Sequence, residues 1–450
     1  MATITLAQAA AWCGGRVAPE FENIALLGAN NDSRKLLPGE LFVALEGVRD
    51  GHDFIPAAME KGAAAVLCKH CAADVPAIVV DDPRIALGKI AAGARQRIGM
   101  TVVGVTGSVG KSTTKEMIAA ALEGDYIVSK TPANFNNDLG LPMAILAMGE
   151  DTQVAVLEMG MSHFGEISYL SHIAKPDIAV ITNIGTMHME NLGSREGILQ
   201  AKLEICDGMA ADGQLHLYGD DEYLWSSRTG LTRPVTFFGQ DNRCAPRAEQ
   251  VRQEPSQLCF DVRAGERCFP VTLPLEGAHF VADAMAAISV AMAMGVEPQR
   301  IADRLSRFRN MAGRQEIFEA KGRTIIKDCY NAGPESMAAA LKVLSARSGQ
   351  RIAVLGDMLE LGDATRQAHL DTGRLAAQCA DYLLTYGPNG ALVCQGAAES
   401  GMDKRCIFAF DDRAAMAEKL KELCVPGDVL LFKGSHGMHM ELVLEQFLQN

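Results

Sequence analysis

The stretch GVTGSVGKSTTKEM, residues 104–117, decides the fold of this 450-residue chain. It opens on the end of an apolar, β-branched run, TVVGVTG, passes through a glycine-bearing loop and starts a helix with Lys111 and Ser112. A strand, a glycine loop and a helix start in that order make a phosphate cradle. The glycines let backbone N–H groups turn toward an anion, and the helix adds its positive end. The Walker A spacing G-x-x-x-x-G-K-[ST] is not met, because the position five before Gly110 is Val105. The chain carries the shorter G-x-x-G-K-S, formed by Gly107, Gly110, Lys111 and Ser112. Its chemistry is the same: Lys111 reaches the β- and γ-phosphates, and the Ser112 hydroxyl is placed to touch Mg²⁺. The bland alternative is a glycine turn with an exposed lysine, and the flanking strand and helix argue against it. A phosphate loop by itself fits a kinase, an ATPase, a GTPase or a ligase.

Working outward, apolar strands alternate with helix-length segments: TVVGVTG, KSTTKEMIAAAL, YIVSK, QVAVLEM, HFGEISYLSHIA and DIAVITNIG. This is the pattern of a buried parallel sheet with helices on both faces. A more β-rich stretch follows (VTFFG, QLCFDVRA, RCFPVTLPL), and helical GAHFVADAMAAISVAMAMG closes the block near residue 312. After Gly313 the alternation resumes with TIIKDCY, RIAVLGDM, DYLLTYG, CIFAFDD and DVLLFKG, which predicts a second doubly wound domain. The pattern predicts an α/β chain of three domains, 1–98, 99–312 and 313–450. The central one is a P-loop ATPase with a mostly parallel, doubly wound sheet, and the last is Rossmann-like.

Composition sets limits on partners. Lys plus Arg number 42 against 55 Asp plus Glu, a net charge of −13, which argues against a general nucleic-acid binder. The N-terminus lacks the basic region of a secretion signal, and no window approaches the roughly 18 apolar residues of a membrane span. Twelve scattered cysteines suit a reducing cytoplasm. Cys68 and Cys71 form one C-x-x-C around His70, without the second pair a zinc site would need, and are read as ordinary thiols.

Further motifs choose among the phosphate-loop enzymes. TPANFNNDLGLP (131–142) is a polar, Asn-rich loop. VAVLEMGMS (154–162) ends an apolar strand on Glu158, at the carboxyl edge where open α/β sheets bind ligands. VITNIGTMHMENLGS (180–194) places His188 and Glu190 beyond another strand end, and ILQAKLEI (198–205) puts Lys202 on a helix. Together these segments resemble the Mur ligase family of bacterial cell-wall enzymes. The likeness extends to residues 30–67, similar to a UDP-sugar-binding α/β domain, and to VLGDMLELG (354–362) and LFKGSHGMHME (431–441) in a C-terminal ligase domain.

The resemblance implies an ATP-dependent amide ligase. ATP activates a carboxylate as an acyl phosphate, an amine attacks the acyl carbon, and ADP and phosphate leave. GDMLELG and YNAGPESM (330–337) resemble the branch that takes UDP-N-acetylmuramoyl-tripeptide and D-alanyl-D-alanine, two small molecules. By the same resemblance Thr106, Gly107, Ser108, Val109, Gly110, Lys111, Ser112 and Thr113 hold the nucleotide, with Asn134, Asn137, His279, Asp328 and Tyr330. Ser112, Glu158, His188 and Lys202 serve Mg²⁺. Lys202 does so as a carbamate, since in relatives the matching lysine is carbamylated. Arg314 reaches the γ-phosphate on closure. Ser33, Arg34, Asp50, Gly51 and His52 belong to the UDP-sugar side. A cytoplasmic monomer without nucleic acid is expected. The chain departs from the family pattern at Phe280, Asp283, Lys327, Gly333 and His436. The rivals are another ligase of the superfamily, such as the third-residue or folylpolyglutamate enzyme, a P-loop small-molecule kinase, and a non-catalytic nucleotide-binding scaffold. The third-residue enzyme would carry an Asp-Asn-Pro-Arg-like motif, and this chain has none.

Overall fold

The computed structural model describes residues 4–449. Their contacts group into two units. The first comprises Met1–Thr182, Gln200–Ala245 and Ala284–Ile301, and the second Asn183–Leu199, Pro246–Asp283 and Ala302–Asn450.

The first unit holds two parallel sheets. The smaller orders Ala29–Asn30, Leu41–Val43, Ala65–Cys68 and Ala77–Val79 as parallel neighbours. Helix Pro83–Ile98 follows. Asp82 caps its start by accepting from Arg84 N–H and Ile85 N–H, and Gly99 ends it at φ +70°, a backbone that disfavours any residue with a Cβ. The larger sheet runs Val235–Phe238, Gln214–Tyr218, Ile178–Ile181, Thr101–Thr106, Val154–Glu158 and Val128–Lys130, every pair parallel. Its central strands are buried along their length, because helices cover both faces; that is why they read as continuous apolar runs. Strand Thr101–Thr106 lies at the point where successive strands leave in opposite directions, toward Val154–Glu158 on one side and Ile178–Ile181 on the other. In open α/β sheets the carboxyl ends of the strands at such a switch point are where ligands bind.

The second unit is built on a six-stranded sheet, Glu316–Ala320, Arg323–Asp328, Val429–Lys433, Arg351–Gly356, Tyr382–Tyr386 and Ile407–Phe410. Five of these strands are mutually parallel. The sixth, Glu316–Ala320, pairs antiparallel with Arg323–Asp328 through a turn at Lys321 and Gly322, so the sheet is mixed at one edge. A three-stranded antiparallel meander, Arg247–Glu254, Gln257–Ala264 and Arg267–Leu273, also belongs to this unit. Among the described residues no helix is long and apolar enough to cross a membrane. The chain is thus α/β, with an N-terminal parallel sheet, a central P-loop sheet and a Rossmann-like C-terminal sheet.

Leu157 is fully buried in the central sheet one residue before Glu158. Leu157→Ala is expected to destabilise the protein by about 2–4 kcal/mol. Thermal unfolding checks this, and an unchanged melting temperature would contradict the burial.

Candidate active site

The phosphate loop is shaped by two glycines. Gly110 sits at φ +83° as the residue before helix Lys111–Leu122. Gly107 lies against Thr182, and a Cβ at 107 would collide with Thr182 Oγ1. That threonine follows strand Ile178–Ile181 and donates to Val109 O at 2.6 Å, so it clamps the loop from the next strand. Lys111 Nζ donates to Gly107 O (2.9 Å) and Ser108 O (3.3 Å), folded back along the loop. Thr106, Ser108 and Thr113 are buried beside it.

The carboxylate predicted at the strand end is where the sequence puts it. Glu158 is 2% exposed, and its Oε2 accepts from Ser112 Oγ at 2.7 Å. Its Oε1 accepts from Asn136 Nδ2 at 2.9 Å, and its N–H donates to Thr131 Oγ1 at 3.0 Å. Asn136 and Thr131 come from the Asn-rich loop, so this loop and the phosphate loop meet on one carboxylate. Asn137, expected at the nucleotide, instead accepts from Leu139 N–H and Gly140 N–H and starts the next helix. Asn134 is exposed, and its backbone carbonyl accepts from Asn136 N–H at 2.8 Å.

Lys202 is 2% exposed. Burial, aided by the charge of Lys111, pushes its pKa well below the ordinary lysine range. The resemblance marks Lys202 as a site residue against the plainer reading of a solvated helix lysine, and the fold buries it, which disfavours its charged form.

Among the described residues no cluster of three or more His, Cys, Asp or Glu stands ready for a metal. Mg²⁺ is commonly held by one or two carboxylates together with substrate phosphates and waters. The buried Ser112–Glu158 pair fits that donor set. A lysine amine does not fit it, whereas a carbamate on Lys202 would add an anionic oxygen.

The other expected residues lie in two further places. In the small N-terminal sheet's loops, Asp50 Oδ1 is 2.6 Å from His52 Nδ1. His52 Nε2 accepts from Lys69 N–H at 3.1 Å, which leaves the proton on Nδ1 for Asp50. His70 stacks on His52 with ring centres 4.3 Å apart. Gly51 packs so closely on Leu45 that a Cβ would lie 2.5 Å from Leu45 N. Arg34 is exposed and pairs with Asp32, holding that carboxylate down to about 2, and Ser33 lies between them. Cys68 is buried, and burial pushes its thiol up to about 12.

In the second unit the Arg314 guanidinium covers the Tyr330 ring at 3.9 Å. Asp328 accepts from Lys433 Nζ (2.6 Å) and Gln315 N–H (3.2 Å). His279 is exposed with its ring 4.1 Å from that of Phe280, which is itself buried. His188 also belongs to this unit, with Nδ1 3.1 Å from Glu360 Oε2. Both residues carry positive φ, +63° and +64°. Beside them Thr186 donates through N–H and Oγ1 to Glu335 Oε1, at 2.9 and 3.0 Å. Segment 183–199 is therefore gathered onto the GDMLELG and YNAGPESM motifs.

Sequence reasoning missed Lys115, Asn136, Thr131 and Thr182. Asn136 sat inside a recognised motif. Lys115 had one signal, its place one turn after Lys111 on the same helix face.

A P-loop followed by a helix at the switch point of a parallel sheet, with a buried carboxylate on the loop serine, defines a nucleotide-dependent α/β enzyme. The chain belongs to the Mur ligase family. Family models match residues 28–95 (Mur ligase family, catalytic domain), 105–291 (Mur ligase middle domain) and 313–436 (Mur ligase, glutamate ligase domain). The chain is similar to UDP-N-acetylmuramoyl-tripeptide–D-alanyl-D-alanine ligase of Bacillus subtilis, with 40% identity over 96% of this chain and 95% of the relative. The same enzyme of Escherichia coli is 33% identical over 100% and 99%. Among solved structures, MurF from Acinetobacter baumannii has a TM-score of 0.91 at 30% identity, with 100% of both chains covered. MurF ligase from Thermotoga maritima in complex with ADP gives 0.82 at 31%, covering 93% and 96%.

Gly107→Ala should lower nucleotide affinity by at least about tenfold, since the added methyl must displace Thr182 or open the loop. Calorimetric titration with ADP checks this; wild-type affinity would contradict the crowding.

Proposed function

We propose that this chain is an ATP-dependent ligase that joins D-alanyl-D-alanine to UDP-N-acetylmuramoyl-tripeptide, giving the UDP-muramoyl-pentapeptide precursor of peptidoglycan. The reading is supported by the buried Ser112–Glu158 pair behind the phosphate loop, in a chain similar over its whole length to enzymes of that name. It has the chain act as a cytoplasmic monomer of three functional segments, 1–98 for the UDP-sugar, 99–312 for ATP and 313–450 for ligation.

The reaction brings two anions together, a carboxylate and a triphosphate. Phosphoryl transfer to the carboxylate gives an acyl phosphate and ADP; the dipeptide amine then forms the amide and releases phosphate. The protein must position these groups and offset their repulsion. In this reading Lys111 swings from the loop carbonyls onto the β- and γ-phosphates, beside the N–H groups of residues 106–113. Ser112 and Glu158 hold Mg²⁺, which supplies charge neutralisation. Asn136 steadies Glu158 from the Asn-rich loop. His188 takes a second Mg²⁺, its ring oriented by Glu360. Arg314, Tyr330, Asp328 and His279 are assigned to the nucleotide, as are Asn134 and Asn137. Asp50, Gly51 and His52, with Ser33 and Arg34, are assigned to the UDP-sugar.

Lys202 is assigned the carbamate role. Carbamate formation joins an amine nitrogen to CO₂ and releases a proton, so it needs the neutral amine that burial favours. Formation is therefore promoted as pH rises. Protein freed of CO₂ at about pH 6 should lose activity and recover it when bicarbonate is added at pH 8. Activity indifferent to bicarbonate would remove the carbamate from the account.

The test of the function is phosphate release from ATP with Mg²⁺ and UDP-muramoyl-tripeptide, with and without D-alanyl-D-alanine. Release should depend on the dipeptide and be matched by a UDP-muramoyl-pentapeptide mass. Lys111→Ala should lower the rate by at least about 100-fold. Release indifferent to the dipeptide, or a phosphorylated product without an amide, would contradict the reading.

A further inference from the structure

We propose that Lys115 is a positioning residue of the ligase site, holding Glu158 and the Asn-rich loop in register with the phosphate loop. The inference rests on the proposed ligase reading. Lys115 lies one turn beyond Lys111 on helix Lys111–Leu122 and is fully buried. Its Nζ donates to Thr131 O at 2.7 Å and lies 3.3 Å from Glu116 Oε1 and 3.8 Å from Glu158 Oε2. The ammonium thus faces oxygens of the Asn-rich loop and of the Glu158 strand, besides that of Glu116 on its own helix. Thr131 begins the Asn-rich loop and is itself tied to the Glu158 strand, donating N–H to Val156 O (3.1 Å) and accepting Glu158 N–H on Oγ1 (3.0 Å). Glu116 is held from its other oxygen by Lys130.

A buried ammonium is costly to desolvate, and plain packing at this position is met at lower cost by an apolar side chain. What Lys115 supplies beyond packing is a fixed positive charge behind a buried carboxylate. Glu158 accepts from Ser112 on one oxygen and from Asn136 on the other. Thr131 O and Glu116 keep Lys115 anchored even when Glu158 and Ser112 turn to other partners. The distance between the phosphate loop and the loop bearing Asn136 is then set from inside the domain.

The experiment compares wild type, Lys115→Met, Glu158→Gln and the double variant. Dipeptide-dependent turnover is followed by product mass, and hydrogen exchange is followed in the ligand-free proteins. Lys115→Met is expected to lower kcat by at least about 30-fold while the KM for ATP stays within about threefold. Amides of residues 131–140 should exchange at least about tenfold faster. In the Glu158→Gln background the same substitution should change kcat by less than about threefold, because no carboxylate is left to position. If Lys115→Met does not fold, the double variant, which has lost both charges of the Lys115–Glu158 pair, is compared with Glu158→Gln. Faster exchange at 131–140 with equal residual kcat supports the proposal. Wild-type kcat in Lys115→Met, the same loss in both backgrounds, or unchanged exchange at 131–140 overturns it. Wild-type protein without dipeptide-dependent turnover would overturn the ligase reading instead, and the exchange comparison would still decide the positioning role.

Discussion

A carboxylate taken out of water must be held by hydrogen bonds or cations, and the central sheet places one such group, Glu158, at the carboxyl end of a fully buried strand. Its partners organise the site. Ser112 reaches it from the phosphate-loop helix, Asn136 from the Asn-rich loop and Lys115 from the turn after Lys111, while Thr131 accepts the backbone N–H of Glu158. A hydroxyl and a carboxylate 2.7 Å apart are a natural pair to receive a hard cation. With Asn136 on the other carboxylate oxygen, their contact ties the phosphate loop to the Asn-rich loop. Lys202 extends the same logic, since a cation beside Lys111 would deepen repulsion, and burial instead disfavours its charge.

The second unit shows charge put to a different use. Segment 183–199 follows a central strand in sequence, yet its contacts lie with the C-terminal motifs. Glu335 receives two hydrogen bonds from Thr186, and Glu360 pairs with His188 while both residues stand at positive φ. Non-glycine residues hold that backbone only when their surroundings fix it, and such positions concentrate at functional sites. Gly333, one of the departures from the family pattern, lies where a Cβ would come within 3.0 Å of Met187 Cγ. The small residue lets segment 183–199 approach the start of helix Pro334–Ser345.

The parts of this protein legible in its sequence are those written in local patterns. Parallel strands buried on both faces left continuous apolar runs, and the glycine loop between Thr101–Thr106 and Lys111–Leu122 announced itself by residue type and order. Glu158 could be placed because a charge ending an apolar run marks a strand end. Side-chain direction was not legible. Asn136 faces Glu158 while Asn137 accepts from Leu139 N–H and Gly140 N–H, a choice made by the loop's path and not by composition. Lys115 looks like an ordinary helix lysine until the sheet beneath it is known, and Lys202 is marked only by the family resemblance. Strand Glu316–Ala320 was hidden because its alternation is weak and its pairing depends on a turn at Lys321–Gly322. The membership of segment 183–199 was hidden for a different reason, since it depends on partners more than 100 residues away, as in the Thr186–Glu335 contact.

The central claim is that the Ser112–Glu158 pair receives the cation that accompanies the nucleotide. The most direct measurement is calorimetric affinity for a non-hydrolysable ATP analogue, with and without Mg²⁺, in wild type and Glu158→Gln. The account predicts that Mg²⁺ strengthens binding by at least about tenfold in wild type and by much less in the variant, with metal-free affinities alike. Equal strengthening by Mg²⁺ in both proteins would contradict it.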